Sequence, residues 1–98
     1  MLNNNIKELA KCLLNSYEEA YNIYAPEVDR IIKYKINDIS YIERTLDYIL
    51  GIYTDKGFYL FMKLLLYYKT VNLEGAKVYL EILKEDREEE LKDYVKKL

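Results

Sequence analysis

The feature that most constrains this chain is the apolar run FYLFMKLLLYY at residues 58–68, where Lys63 is the one charged residue. Even when it is extended to Val71, the run is shorter than the roughly 20 residues that a membrane-spanning helix needs. A run of this length is typical of a helix buried in a protein core. Its apolar side chains cover more than one face, so we predict a central helix at about 56–71 with neighbours on several sides. No membrane association is expected.

Helix-breaking residues are scarce, with one Pro and three Gly in 98 residues. Such a chain favours long helices over many short strands. Its length is that of one domain, residues 1–98. We therefore predict an all-α fold, a compact bundle of about five helices arranged as stacked antiparallel hairpins.

Apolar residues near the N-terminus recur at steps of three and four, which is the spacing of one helical face. We expect the following residues to face the core: Ile6, Leu9, Leu13, Tyr17, Ala20 and Tyr24. Pro26 suits the first turn of a helix and disfavours helical backbone at the residue before it. A separate short helix is therefore predicted at 26–36.

Polar residues that commonly cap helices mark the next boundaries. Asp38 or Ser40 is expected to open a helix at 39–52, Thr54 or Asp55 the central helix, and Asn72 the last segment. The run KEDREEE at 84–90 carries no apolar residue. The last segment is therefore either one long helix with a solvated middle or two helices with a bend between them, and both alternatives remain open. Beyond this run lies an amphipathic end at 91–98.

The residues that most enzyme sites require are missing. The chain has no His and one Cys, which removes the commonest general base and most metal-ligand sets. No glycine-rich phosphate-binding motif occurs. Glu43 and Asp47 lie one helical turn apart and could share a proton or a metal, but we interpret them as solvated surface near Arg44. We predict no catalytic activity, no cofactor, no metal and no small-molecule substrate.

The charge balance disfavours nucleic acid as the main partner. The formal net charge is −2, whereas binding to a phosphate backbone rests on clustered Lys and Arg. A single Cys cannot form an intramolecular disulfide, and residues 1–9 lack the pattern of a signal peptide. A cytoplasmic location is therefore expected.

The twelve tyrosines suggest an interaction surface, because Tyr combines a large contact area with one polar group. Four of them lie at the edges of the predicted apolar faces and are candidate interface residues: Tyr34, Tyr41, Tyr48 and Tyr67. The same four tyrosines could instead be partly buried boundary residues. They could also reflect codon bias, since the composition as a whole is that of an AT-rich genome.

The C-terminal end offers two further candidate surfaces. Its apolar patch must be covered, either by folding back on the first helix or by docking on a partner, and it comprises Leu91, Tyr94, Val95 and Leu98. The neighbouring acidic residues form a candidate charged contact surface or a solvated helix face, and they are Glu85, Glu88, Glu89 and Glu90.

These features together favour a small non-catalytic protein-binding module. It would act as a regulator or an inhibitor, with another protein or a second copy of itself as its partner. One alternative is a phage-type mobile-element inhibitor of a host nucleic-acid enzyme or defence complex, since an acidic protein can occupy a basic channel. Another is a small DNA-binding transcriptional regulator that uses the helices at 26–36 and 39–52, although phosphates would repel Glu43 and Asp47.

Overall fold

The computed structural model describes the backbone of residues 2–97 and the side chains of residues 5–96. These residues form five helices and no strand, which confirms the predicted all-α fold. The helices are α1 (Leu2–Lys33), α2 (Ile39–Leu50), α3 (Asp55–Val71), α4 (Leu73–Asp86) and α5 (Glu88–Lys97).

Helix α3 forms the centre of the bundle and packs against α1, α2 and α4. Phe61, Leu64 and Tyr68 are completely buried along it, as the apolar run predicts. Lys63, which interrupts the run, is exposed and pairs with Asp29 of α1 at 2.7 Å. Because α3 has neighbours on three sides, the other helices are positioned by their contacts with it.

Side-chain caps begin three of the helices. The carboxylate of Asp38 accepts from the backbone N–H of Tyr41 at 3.1 Å, and the hydroxyl of Thr54 accepts from that of Gly57 at 3.1 Å. Asn72 accepts from the third residue of α4 at 3.2 Å in the same way. Each cap satisfies a backbone donor that has no partner within its helix. These contacts explain why α2, α3 and α4 begin where they do.

The predicted break at Pro26 is wrong, because α1 continues through this residue to Lys33. A proline inside a helix removes one hydrogen bond and costs about 3 kcal/mol. Val28 and Ile31, just beyond it, are fully buried, and each contributes about 1.5–3 kcal/mol. Asn22, whose carbonyl loses its helical donor, is exposed to water. Burial of the final turns therefore outweighs the local preference of Pro26, and no separate helix exists at 26–36.

Helix α1 ends in a Schellman motif. The backbone N–H of Ile36 donates to the carbonyl of Ile31 at 3.0 Å, and that of Lys35 donates to Ile32 at 3.3 Å. Lys35 has a φ of 51°, in the left-handed region that normally favours glycine. The motif turns the chain sharply into the cap of α2.

The expectation that the whole N-terminal stripe faces the core is also wrong. Tyr17, Ala20 and Tyr24 are half-buried against the bundle, but every described residue from 5 to 16 is exposed. We call residues 2–16 the α1 arm. It extends about 22 Å at 1.5 Å per residue and contributes to a molecule 51 Å long and 26 Å wide. Spacing shows which face is apolar, whereas the reach of the neighbouring helices decides how much of that face is covered.

The C-terminal segment consists of two helices with a break at Arg87. This residue has a non-helical backbone, with φ −140° and ψ 45°, and its side chain is buried. The charged run at 84–90 therefore contains an anchored corner between α4 and α5.

Candidate functional site

The α1 arm presents the most exposed apolar stripe among the described residues. Ile6, Leu9 and Leu13 are 62%, 71% and 52% exposed, and their spacing places them on one helical face. Leu14, beside this stripe, is 60% exposed. A helical stripe of this kind normally packs against a partner surface.

The arm leaves the bundle at a defined point, where aromatic and ionic contacts hold its base. The ring of Tyr17 lies edge-on to Tyr53, with centroids 6.1 Å apart. One turn further on, Lys56 of α3 lies 3.5 Å from the carboxylate of Glu18 and 5.7 Å from the ring centre of Tyr21. We call this region of the bundle, from which the arm projects, the arm end.

Arg87 brings the corner between α4 and α5 to the same end. Its guanidinium donates to the carbonyl of Leu50 at 2.9 Å and lies 4.4 Å from the ring centre of Tyr53. The acidic residues around it are all exposed, and we call them the acidic cluster: Glu85, Glu88, Glu89 and Glu90. With Asp86 included, residues 85–90 carry five carboxylates and one guanidinium, a net charge of −4.

The C-terminal apolar patch is partly covered by the bundle itself. The ring of Tyr94 lies 5.8 Å from that of Phe58 and 5.5 Å from that of Tyr59, and Leu91 is half-buried. This end folds back on α3, whereas the two alternatives from the sequence were the first helix and a partner. Val95 remains 61% exposed, and Leu98 lies outside the described residues.

The four edge tyrosines do not form one surface. Tyr34 is 66% exposed, whereas Tyr41 is half-buried and accepts a hydrogen bond from Arg30 at 2.7 Å. Tyr67 is also half-buried, and its hydroxyl donates to the carbonyl of Ile36 at 2.7 Å. These three lie near the turn that follows α1, at the opposite end of the bundle from the arm.

Tyr48 lies apart from the other three. Its ring stacks on that of Tyr24, with centroids 5.4 Å apart, and it remains 55% exposed. The stack packs α2 against α1 while leaving one aromatic surface open to solvent.

Glu43 is half-buried, which corrects its interpretation as solvated surface, whereas Asp47 is exposed as that interpretation expects; both accept hydrogen bonds from tyrosines. The hydroxyl of Tyr68 donates to the carboxylate of Glu43, and Tyr79 donates to Asp47 at 2.7 Å. Asn72 donates in turn to the hydroxyl of Tyr68 at 3.0 Å. These bonds connect α2 to α3 and α4 through buried rings.

The same contacts shift the titration of both tyrosines. Burial, and then the hydrogen bond to Glu43, raises the pKa of Tyr68 to about 12. Burial and the hydrogen bond to Asp47 raise the pKa of Tyr79 well above its ordinary value. Both hydroxyls therefore stay protonated, as donors, to a higher pH than an exposed tyrosine does. The carboxylate pair serves the packing of the bundle, a role that sequence reasoning missed.

A shallow apolar groove of about 310 Å³ runs between α3 and α4. Leu66 and Leu73 line it and are 55% and 47% exposed, with Lys69 and Lys77 at its edges. The groove is a second exposed apolar surface, and none of its described residues indicates which partner would cover it.

Within residues 2–97, no helix is long and apolar enough to cross a membrane. Among the side chains that the structure describes, no group of three or more His, Cys, Asp or Glu is arranged to hold a metal ion. Comparison with known proteins found no matching family model, no matching curated protein and no matching solved structure. Exposure, spacing and charge therefore decide which surface is the best candidate.

Proposed function

We propose that this protein is a small non-catalytic binding module that acts as a regulator or an inhibitor through protein–protein contacts made by the α1 arm. The observation that carries the proposal is the exposure of Ile6, Leu9 and Leu13 on one face of a helix that projects from the bundle. Most helical stability in proteins comes from the packing of an apolar face, and residues 5–16 of the arm are all exposed, so contact with a partner would stabilise the arm. Docking of an amphipathic helix in a groove is a common mode of protein recognition.

The end of α1 and the start of α2 are less suited to binding DNA. Arg30 pairs with Glu27 and donates to Tyr41, so its charge is compensated within the bundle. Glu43 lies in the first half of α2, where a recognition helix normally presents donors to base edges. This region therefore supports protein binding better than phosphate binding.

A matched pair of variants tests the proposal. Leu9→Glu places a charge in the middle of the arm stripe, and Val78→Glu places one on an exposed aliphatic residue of α4, 60% exposed. Neither side chain is buried, so both variants should fold. Each would be tagged and used for affinity capture from an extract of the cells that produce the protein.

The expected result is a partner protein that is captured by the wild type and by Val78→Glu and is lost with Leu9→Glu. Circular dichroism and thermal melts should show the same bundle in all three proteins. Equal capture by the two variants would refute a role for the arm. Equal capture would then direct attention to the groove between α3 and α4.

A further inference from the structure

The arm and the bundle end from which it projects carry opposite charges. The described arm residues include Lys7, Glu8 and Lys11, a net charge of +1, and the acidic cluster region at 85–90 carries −4. The contacts of Tyr53 with Tyr17 and Arg87 place both features at the arm end. A surface that combines a basic apolar helix with an acidic base is complementary to itself.

We propose that the partner of the α1 arm is a second copy of this chain, in a two-fold symmetric dimer whose α1 helices run antiparallel. This inference rests on the proposed function, because it names the occupant of the same apolar stripe. In this arrangement, the tip of each arm lies beside the base of the other, so Leu13 approaches the partner's Ile6. Lys7 then lies toward the acidic cluster of the other copy, and Lys11 lies level with the other copy's Glu8.

Charge selects the antiparallel orientation. A parallel pair would place the acidic clusters of the two copies beside each other and the arm lysines beside each other, and like charges in contact are unfavourable. The antiparallel pair exchanges both repulsions for attractions. It is also an isologous contact, in which the same patch on both copies closes the assembly at two chains.

The area that two arms can bury is that of a weak dimer. Full burial of one aliphatic side chain corresponds to roughly 60–120 Å² of apolar surface. At their exposures of 62%, 71% and 52%, the three stripe residues of two copies therefore supply roughly 200–450 Å². Tyr53 is 65% exposed at the base and adds roughly 100–160 Å² per copy. Since about 65% of a homodimer interface is apolar, the total is roughly 650–1,200 Å², which extends up to the lower limit of about 1,200 Å² for stable interfaces and fits a dimer that forms only at high concentration.

Sedimentation equilibrium tests the inference through mass. The wild type should pass from 11.8 kDa to twice that mass as its concentration rises toward millimolar. Leu9→Glu should weaken the dimer by at least about tenfold, because each copy loses an apolar contact and gains a charge there. Val78→Glu should dimerise like the wild type. A wild-type protein that remains monomeric throughout would overturn the inference.

A charge exchange tests the antiparallel arrangement. Lys7→Glu should weaken the dimer at low salt, and adding Glu89→Lys to the same chain should restore it. Glu88 is not used, because it already pairs with Lys92 at 3.3 Å. Failure of Glu89→Lys to restore association would refute the contact between arm and acidic cluster.

The two proposals can fail separately. The protein could be a strict monomer and still capture another protein, with that capture lost in Leu9→Glu. This result would overturn the second copy as partner but leave the arm as a binding surface. A dimer that Leu9→Glu leaves intact would overturn the arm as the contact.

Discussion

Arg87 gives the sharpest test of how this bundle is held together. It lies in the run KEDREEE, which by its composition predicts a solvated helix face, yet it is only 6% exposed. Its guanidinium donates to the carbonyl of Leu50 at the C-terminus of α2, stacks against Tyr53 and lies 3.5 Å from Glu90. We predict that Arg87→Ala destabilises the fold much more than other charge removals in the same run.

The magnitude follows from these three contacts. A hydrogen bond to a charged group contributes about 1.5–3 kcal/mol, and a cation–π contact contributes about 0.5–2 kcal/mol, depending on its exposure. The ion pair with Glu90 adds at most about 0.5 kcal/mol, because that carboxylate is half-exposed. Some of this gain offsets the desolvation of the guanidinium, so we expect Arg87→Ala to lower the free energy of unfolding by about 2–4 kcal/mol.

Chemical denaturation and thermal melts can measure this loss. For a domain of this size, it corresponds to a fall in Tm of roughly 10–25 °C. Glu88→Gln, in the same run, is the matched control and should change the free energy of unfolding by less than about 0.5 kcal/mol. A double-mutant cycle with Tyr53→Ala would isolate the cation–π contact. If Arg87→Ala matched the wild type within about 0.5 kcal/mol, the side chain would be solvated and the corner would not be anchored.

Three further predictions concern stability. Because burial raises the pKa of Tyr68 to about 12, the folded protein keeps this proton above pH 10 while the unfolded chain loses it; stability should therefore fall between pH 10 and 12. Urea denaturation below and above pH 10 should show a smaller fall in the free energy of unfolding for Tyr68→Phe than for the wild type. An equal fall would contradict the raised pKa of Tyr68. Lys35→Gly should stabilise the fold by about 0.5–1 kcal/mol, because glycine adopts the left-handed backbone of this position without steric strain. An unchanged urea midpoint would show that Lys35 is not strained. Gly57→Ala should destabilise, since a Cβ would overlap the carbonyl of Ile52, whereas Gly51→Ala, with space for a methyl group, should be neutral or stabilising in the same assay.

The parts of the fold that the sequence predicted well rest on local signals. Asn72 caps the helix that it was expected to cap, and Asp38 and Thr54 are the caps out of two candidates each, Asp38 or Ser40 and Thr54 or Asp55. These signals were readable because an N-cap acts within one turn. The central helix was predicted at 56–71 and lies at Asp55–Val71. Its apolar cover is wide enough to indicate burial without knowledge of its neighbours.

The parts that were missed depend on contacts distant in sequence. Ile6 and Leu9 have the spacing of core residues, and only the positions of α2 and α3 show that the bundle ends before reaching them. Pro26 has a local preference that the burial of Val28 overrides. Buried Tyr hydroxyls need partners, and this requirement could have suggested a carboxylate for Tyr68.

The continuity of α1 also determines how its arm can form. The first turn of a helix is the costly step, because several residues are ordered for one hydrogen bond. In α1 that step is already complete at Tyr17–Lys33, where Val28 and Ile31 fix the helix in the core. The arm therefore needs only propagation, one residue at a time, from Ser16 outward. The bundle thus serves as the nucleus for the helix that it projects.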